Sequence, residues 1–287
     1  GKDPELVIKN AKAYVRGVRE SGLAVCCKHF PGDGIEELDQ HLVMGVNTME
    51  CDEWDSTFGH VYKEMIDSGI QSIMAGHIAL PEYSRKLRPG IKDEDIMPAT
   101  LAPELITDLL RGKLGFNGLV LTDASHMAGM TAAMPRSQQV PGAIAAGCDM
   151  FLFFNDIEED FGYMMDGYRN GIITEERLTD ALRRILGLKA SLKLHEKKKK
   201  GTLIPEKEGL SVVGCAEHLA MAAEAAKKSI TLVKDTQHNL PVTPKTHKRA
   251  YAFVISSPPI SRKNQHDPVK QLVKEEMERF CRKSDLL

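Results

Sequence analysis

Four short, unbroken apolar runs separated by stretches of helical periodicity constrain this chain more than any other feature. The runs are Leu23-Ala24-Val25-Cys26-Cys27, Ser72-Ile73-Met74-Ala75, Leu119-Val120-Leu121-Thr122 and Met150-Phe151-Leu152-Phe153. None alternates polar with apolar, so each predicts a strand covered on both faces, as in a parallel sheet. The intervening segments carry helix signals. Asp3-Pro4 reads as an N-cap followed by proline in the first turn, with Leu6, Val7, Ala11, Tyr14, Val15 and Val18 at helical spacing and Gly22 as the stop. Asp52 can cap a second helix bearing Phe58, Val61, Tyr62, Met65 and Ile66, ended by Gly69. Further helices are predicted over about 103–111, 140–146, 158–170 and 174–192. Helix alternating with strand predicts an α/β fold built on a parallel sheet.

An eight-stranded β/α barrel typically takes about 250 residues, and only about 195 precede the end of this pattern. The sheet is therefore either open or a barrel without its front. At Lys193–Lys200 the composition shifts to KLHEKKKK, which reads as a solvated helix end or linker. The predicted organisation is a partial (β/α) barrel domain over 1–195, a linker over 196–210 and a partial second α/β domain over 211–287. That last part has an alanine-rich helix at 215–229, strands at 230–233 and 251–255, and an amphipathic helix at about 268–283.

The net charge of −2, from 38 basic and 40 acidic residues, supplies no field for nucleic acid or an anionic membrane. No apolar run approaches the ~18 residues that a membrane span requires. Six cysteines show neither a CxxC pair nor zinc spacing, so no metal or other cofactor is expected and a reducing, cytoplasmic compartment is predicted.

Chemistry belongs at the carboxyl ends of parallel strands. The first run leads into Lys28-His29-Phe30-Pro31-Gly32-Asp33-Gly34 and then Asp39-Gln40-His41. The third ends on Asp123, followed by Ala124-Ser125-His126. Position alone leaves Asp123 open between a nucleophile and a helix N-cap, and leaves an Asp-x-His pair open between chemistry and a plain surface loop.

Taken together these segments resemble family 3 glycoside hydrolases of the β-N-acetylhexosaminidase branch. The likeness rests on the KHFPG-x-G run with Asp39-x-His41, on Met74-Ala75-Gly76-His77 with Pro81, and on Pro98-Ala99-Thr100-Leu101. It continues through Leu114-Gly115-Phe116 to Asp123, Ala145-Ala146-Gly147-Cys148-Asp149-Met150, and Ala225 to Lys234 with Leu240-Pro241. The resemblance implies a TIM-barrel-like domain followed by the start of an α/β sandwich. It also implies that Gly1 falls after the family's first three strands, making this an interior fragment that lacks the Asp and Arg those strands contribute.

By the same resemblance Asp123 is a retaining nucleophile, and His41 is the acid/base oriented by Asp39. Lys28 and His29 donate to sugar hydroxyls and His77 supports the pocket floor. His126 follows Asp123 closely enough to approach substrate, and a place at a helix N-terminus is equally open to it. Histidine suits the acid/base task because its pKa near 6.5 lets it give and take a proton at neutral pH. The reaction so implied is hydrolysis of terminal β-N-acetylglucosaminides, with a small carbohydrate as partner. Three alternatives stand beside it: a β-glucosidase or β-xylosidase of the family, a variant passing the sugar to phosphate, and a non-catalytic fragment. An isolated half-barrel would bare sheet edges and is expected to dimerise or to pair with the missing strands. Asp33 stands where many relatives carry histidine, which predicts a change in loop packing. The alternative for Lys28 and His29 is a structural ion pair with Asp33 or Glu36.

Overall fold

The computed structural model describes residues 3–243, 245–247, 249, 251–253 and 268–284. They divide into two compact units, one up to Pro205 and one from Glu206.

The first unit opens with α1 (Pro4–Glu20), where the Asp3 carboxylate accepts from the backbone N–H of Glu5 at 2.9 Å, the bond an N-cap makes. Next come β1 (Cys26–Phe30) and β2 (Gly45–Val46). A continuous helical stretch follows: α2 (Cys51–Trp54), a wide turn at Asp55–Gly59, and α3 (His60–Asp67). Beyond it lie β3 (Ser72–Ala75), β4 (Ile78–Ala79) and α4 (Pro81–Leu87). A wide helix, Glu104–Lys113, leads to β5 (Leu119–Ala124), α5 (Ala128–Thr131), α6 (Arg136–Ala146) and β6 (Met150–Leu152). The unit closes on α7 (Ile157–Arg169), α8 (Glu175–Ser191) and α9 (Leu194–Lys199).

The fold is α/β with parallel sheets. The four expected strands form one sheet in the order β1-β3-β5-β6, every pairing parallel, and β2 pairs with β4 in a second short parallel ladder. β3 and β5 pair in regular register from Ser72 opposite Leu119 to Ala75 opposite Thr122. The outer pairings are irregular. Between Cys27 and Phe30, β1 uses one residue more than β3, and between Leu121 and Ala124, β5 uses one more than β6. Such bulges bend a strand and re-aim its side chains.

One face of the sheet packs on α1, α3 and the 104–113 helix through buried Val15, Met65, Ile73, Leu105, Ile106, Leu109 and Val120. An aromatic cluster sits at its top. The Phe30 ring lies edge-on to Trp54 (6.2 Å) and Tyr62 (5.2 Å), and Trp54 edge-on to Tyr83 (5.1 Å). Each such pair adds roughly 0.5–1.5 kcal/mol beyond area burial. The cluster also fixes the start of the next loop, because the Trp54 indole N–H donates to the Pro31 carbonyl at 2.7 Å.

Several expectations need correction. The first strand was expected at 23–27 but runs from Cys26 to Phe30, because Leu23 is exposed and ladder pairing with β3 begins at Cys26. Lys28 and His29 are thus strand residues rather than loop residues. The helix expected from 140 starts four residues earlier, at Arg136, and keeps Pro141 inside. The lysine run predicted within a linker from 196 is partly helical, as α9.

In the second unit, α10 (Ala216–Ser229) and α11 (Pro268–Ser284) match expected helices, but the described residues contain no strand. Ile230, Leu232 and Val233 are exposed, and the apolar run at 230–233 joins no ladder among the described residues. Of the strand expected at 251–255, residues 251–253 are not extended into a ladder, and 254 and 255 lie outside the described residues. Among the described residues no helix is long and apolar enough to cross a membrane.

Candidate active site

Asp123 lies within β5, at the bulge opposite β6. Its side chain is only 11% exposed. One oxygen accepts the Ala124 backbone N–H at 2.7 Å, and the other lies 3.4 Å from Nε2 of His29. It caps no helix: α5 begins five residues later, with Met127 in the N-cap position. Thr122 compensates for the bulge, its hydroxyl accepting the Leu152 N–H at 2.8 Å.

His29 reaches Asp123 because the β1 bulge sets Lys28 and His29 opposite one residue of β3. Its Nδ1 lies 3.1 Å from Asp33 Oδ2. An imidazole held between two carboxylates is oriented at both ends. The contact considered as an alternative is present between His29 and Asp33, and the same ring also faces Asp123. Lys28 is exposed and, among the described residues, has no ion-pair partner. Glu36 instead accepts the Val46 N–H and ties the loop to β2. Lys28, His29 and Asp33 also line a cavity of about 530 Å³ walled by Val7, Ala11 and Phe58.

Residues 31–44 form no helix or strand, as two glycines, a proline and several acids predict. Gly32 has φ +134°, and a Cβ there would stand 2.5 Å from the Phe58 ring, so only glycine fits. Asp39 and His41 meet at the loop's tip. His41 Nδ1 lies 2.6 Å from Asp39 Oδ1, which also accepts the His41 backbone N–H at 2.9 Å. These bonds, the backbone one foremost, hold the Asp39 carboxyl below the ordinary carboxylate range. Both side chains are exposed.

The tip is tied down from behind. Ala128 N–H donates to the His41 carbonyl at 3.1 Å, and Gly129 N–H to the Gln40 carbonyl at 3.2 Å. The loop tip is thus hydrogen-bonded to the helix that follows Asp123.

His77 is fully buried just past β3. Its Nε2 lies 3.0 Å from the Ala124 carbonyl, an obligate acceptor, so that nitrogen carries the proton. Nδ1 lies 2.9 Å from the Thr100 hydroxyl, which also lies 2.9 Å from the Gly76 carbonyl, to which it can donate. Burial pushes the His77 pKa below its usual value. It joins the ends of β3 and β5. His126 is exposed in the turn before α5 and its ring lies 6.3 Å from that of Phe153. It belongs to the same strand edge and, among the described residues, makes no hydrogen bond to Asp123.

Sequence reasoning missed Thr100, Gln40 and a clamp behind β5. Arg136 forks onto buried Asp160 and donates to the Ser125 carbonyl at 3.3 Å and hydroxyl at 3.1 Å. Ser125 in turn donates to the Phe153 carbonyl, fixing the ends of β5 and β6 together. Thr100, Gln40 and Ser125 lay inside quoted motifs without a role, and nothing in local spacing marked Arg136 or Asp160.

Residues 1–188 match the family model for the glycosyl hydrolase family 3 N terminal domain. A protein of Cellulomonas fimi named beta-N-acetylglucosaminidase/beta-glucosidase is 50% identical over 257 residues, which is 90% of this chain and 45% of that protein. A beta-hexosaminidase of Chromobacterium violaceum is 33% identical over 158 residues, covering 55% of this chain and 41% of its own length. Among solved structures, a beta-glucoside phosphorylase, BglX, superposes with a TM-score of 0.79 at 44% identity, covering 85% of this chain and 43% of that one. A family 3 beta-N-acetylglucosaminidase from Paenibacillus sp. str. FPU-7 superposes with a TM-score of 0.70 at 26% identity, covering 82% and 42%. The chain spans less than half the length of each of these relatives.

Proposed function

Because this chain belongs to glycosyl hydrolase family 3, we propose that it carries the reacting groups of a retaining β-N-acetylglucosaminidase. In the first step Asp123 attacks the anomeric carbon, the glycosidic bond breaks, and His41 gives its proton to the departing oxygen. In the second, His41 takes a proton from water as that water displaces Asp123 from the sugar. Asp39, held ionised by its bonds from His41, orients the imidazole and stabilises its charged form. His29 and exposed Lys28 are the donors to sugar hydroxyls, and His77 holds the floor. The division at 1–195, 196–210 and 211–287 is kept as part of this reading.

One observation supports it most. The turn that carries Asp39 and His41 is hydrogen-bonded, through Ala128 and Gly129, to the segment that leaves Asp123. Nucleophile and proton donor thereby share one support. The relatives' names agree with the sugar class, and the one from Cellulomonas fimi names both N-acetylglucosaminides and glucosides.

The test compares leaving groups in active protein carrying this chain. His41→Ala slows release of a sugar leaving group far more than release of p-nitrophenolate, which departs without protonation. Asp39→Asn acts in the same direction but less severely. Equal slowing of both leaving groups by His41→Ala would contradict the proton-donor role.

A second reading is transfer to phosphate. Similarity to a structure named as a beta-glucoside phosphorylase favours it, and a neutral histidine base does not repel an incoming anion as a carboxylate would. Product analysis with inorganic phosphate present separates the two: glycosyl phosphate marks the phosphorylase, free sugar the hydrolase.

A further inference from the structure

Gln40 stands between the two exposed residues of the proposed acid/base pair, yet it is itself only 6% exposed. Its side chain is spent inward. The amide Nε2 donates to Asp33 Oδ2 at 3.0 Å, and Oε1 accepts the backbone N–H of His77 at 3.1 Å. Its carbonyl accepts the Gly129 N–H at 3.2 Å. Three elements are reached from one residue: the loop after β1, the end of β3 and the start of α5.

The partners leave no choice of amide orientation. A carboxylate only accepts and a backbone N–H only donates, so the amide is matched at both ends. Asp33 Oδ2 is also the atom that lies 3.1 Å from His29 Nδ1, and His29 Nε2 faces Asp123 at 3.4 Å. A continuous chain therefore runs from Gln40 through Asp33 and His29 to Asp123. Close packing surrounds it, since a Cβ added at Gly76 would meet His29 Cβ at 3.0 Å and Gln40 Oε1 at 3.4 Å.

We propose that Gln40 is a positioning residue that locks the Asp39–His41 turn to the Asp33–His29–Asp123 chain. Proton donor, sugar-binding histidine and nucleophile are then held in one register by the Gln40–Asp33 bond. The inference rests on the acid/base reading of His41 given above. It accounts for Asp33, whose carboxylate accepts from Gln40 and faces His29 at once. A positioning role predicts that loss of the bond misplaces His41, and such misplacement costs roughly 10- to 100-fold in the step it serves.

The test uses active protein carrying this chain and four variants: Gln40→Met, Gln40→Glu, Asp33→Asn with Gln40→Glu, and His41→Ala. Gln40→Met keeps the volume and removes both amide bonds. Gln40→Glu sets a carboxylate against Asp33, and the double variant restores a donor–acceptor pair with the roles exchanged. The expected result is that Gln40→Met and Gln40→Glu each lower kcat/KM for a disaccharide, which reports the first step alone, by roughly 10- to 100-fold. The kcat/KM of the p-nitrophenyl glycoside should change within about threefold, and the double variant should recover the disaccharide value. If His41→Ala discriminates between leaving groups but the Gln40 variants slow both alike, or the double variant gives no recovery, the positioning role is overturned. If His41→Ala itself fails to discriminate, the acid/base reading falls and this inference falls with it.

Discussion

Asp123 is poised by few contacts: one backbone N–H, the His29 ring and a bulge that turns it out of the ladder. Asp123→Asn keeps the size and the backbone bond but cannot form a glycosyl ester efficiently. It is expected to lower turnover by at least ~10³-fold with an unchanged circular dichroism spectrum. His77 yields a pH prediction. Burial lowers its folded-state pKa, while the unfolded chain titrates near ~6.5. Below about pH 6.5 the unfolded chain binds a proton that the folded ring resists, so stability is full above that pH and declines as pH falls through the lower folded value. His77→Asn should flatten this decline in the urea midpoint between about pH 7 and 5. Single residues were legible where a strand end exposed them, as with Asp123, Lys28 and His29. Gln40 was not, because its partners His77 and Gly129 are distant in sequence and become neighbours only when three strand ends meet.

At the scale of elements, apolar runs and helical spacing were enough to place four parallel strands, since burial on both faces leaves a direct mark on sequence. Strand ends and bulges were not, because pairing rather than composition decides them. β1 shifted by three residues for this reason. The run at 230–233 joins no ladder among the described residues. α5 is too short for a periodicity to show, yet it supports the Asp39–His41 turn. Gly129 makes that approach feasible: a Cβ there would stand 2.9 Å from the Gln40 carbonyl oxygen and 3.0 Å from that of Val43. Two backbone atoms cannot yield cheaply. Gly129→Ala should cost roughly 1–3 kcal/mol in the urea midpoint and lower turnover of the disaccharide with it.

At the scale of the molecule, the opposite end of the sheet is held by a charge cluster around Asp149. This carboxylate has no exposure and accepts from Arg111 at 2.8 Å and from the Val120 N–H at 2.9 Å, with Arg177 and Arg184 on its other oxygen. It joins β5 and β6 to α8. In a parallel α/β fold the amino-terminal edge serves stability while the carboxyl edge serves chemistry, and the proposed roles of Asp149 and Asp123 follow that division. Asp149→Ala would leave buried guanidinium groups uncompensated and should destabilise the fold by about 3–5 kcal/mol, read from chemical denaturation.

The central claim is that Asp123 becomes covalently glycosylated. The direct measurement is peptide mass mapping after reaction of active protein with a fluorinated N-acetylglucosaminyl donor that slows breakdown of the intermediate. Tryptic cleavage releases residues 114–136, in which Asp123 is the only carboxylic acid. A glycosyl adduct on that peptide, lost in Asp123→Asn, is the predicted result. An adduct on any other carboxylate, or turnover in Asp123→Asn equal to that of the unaltered protein, would contradict it.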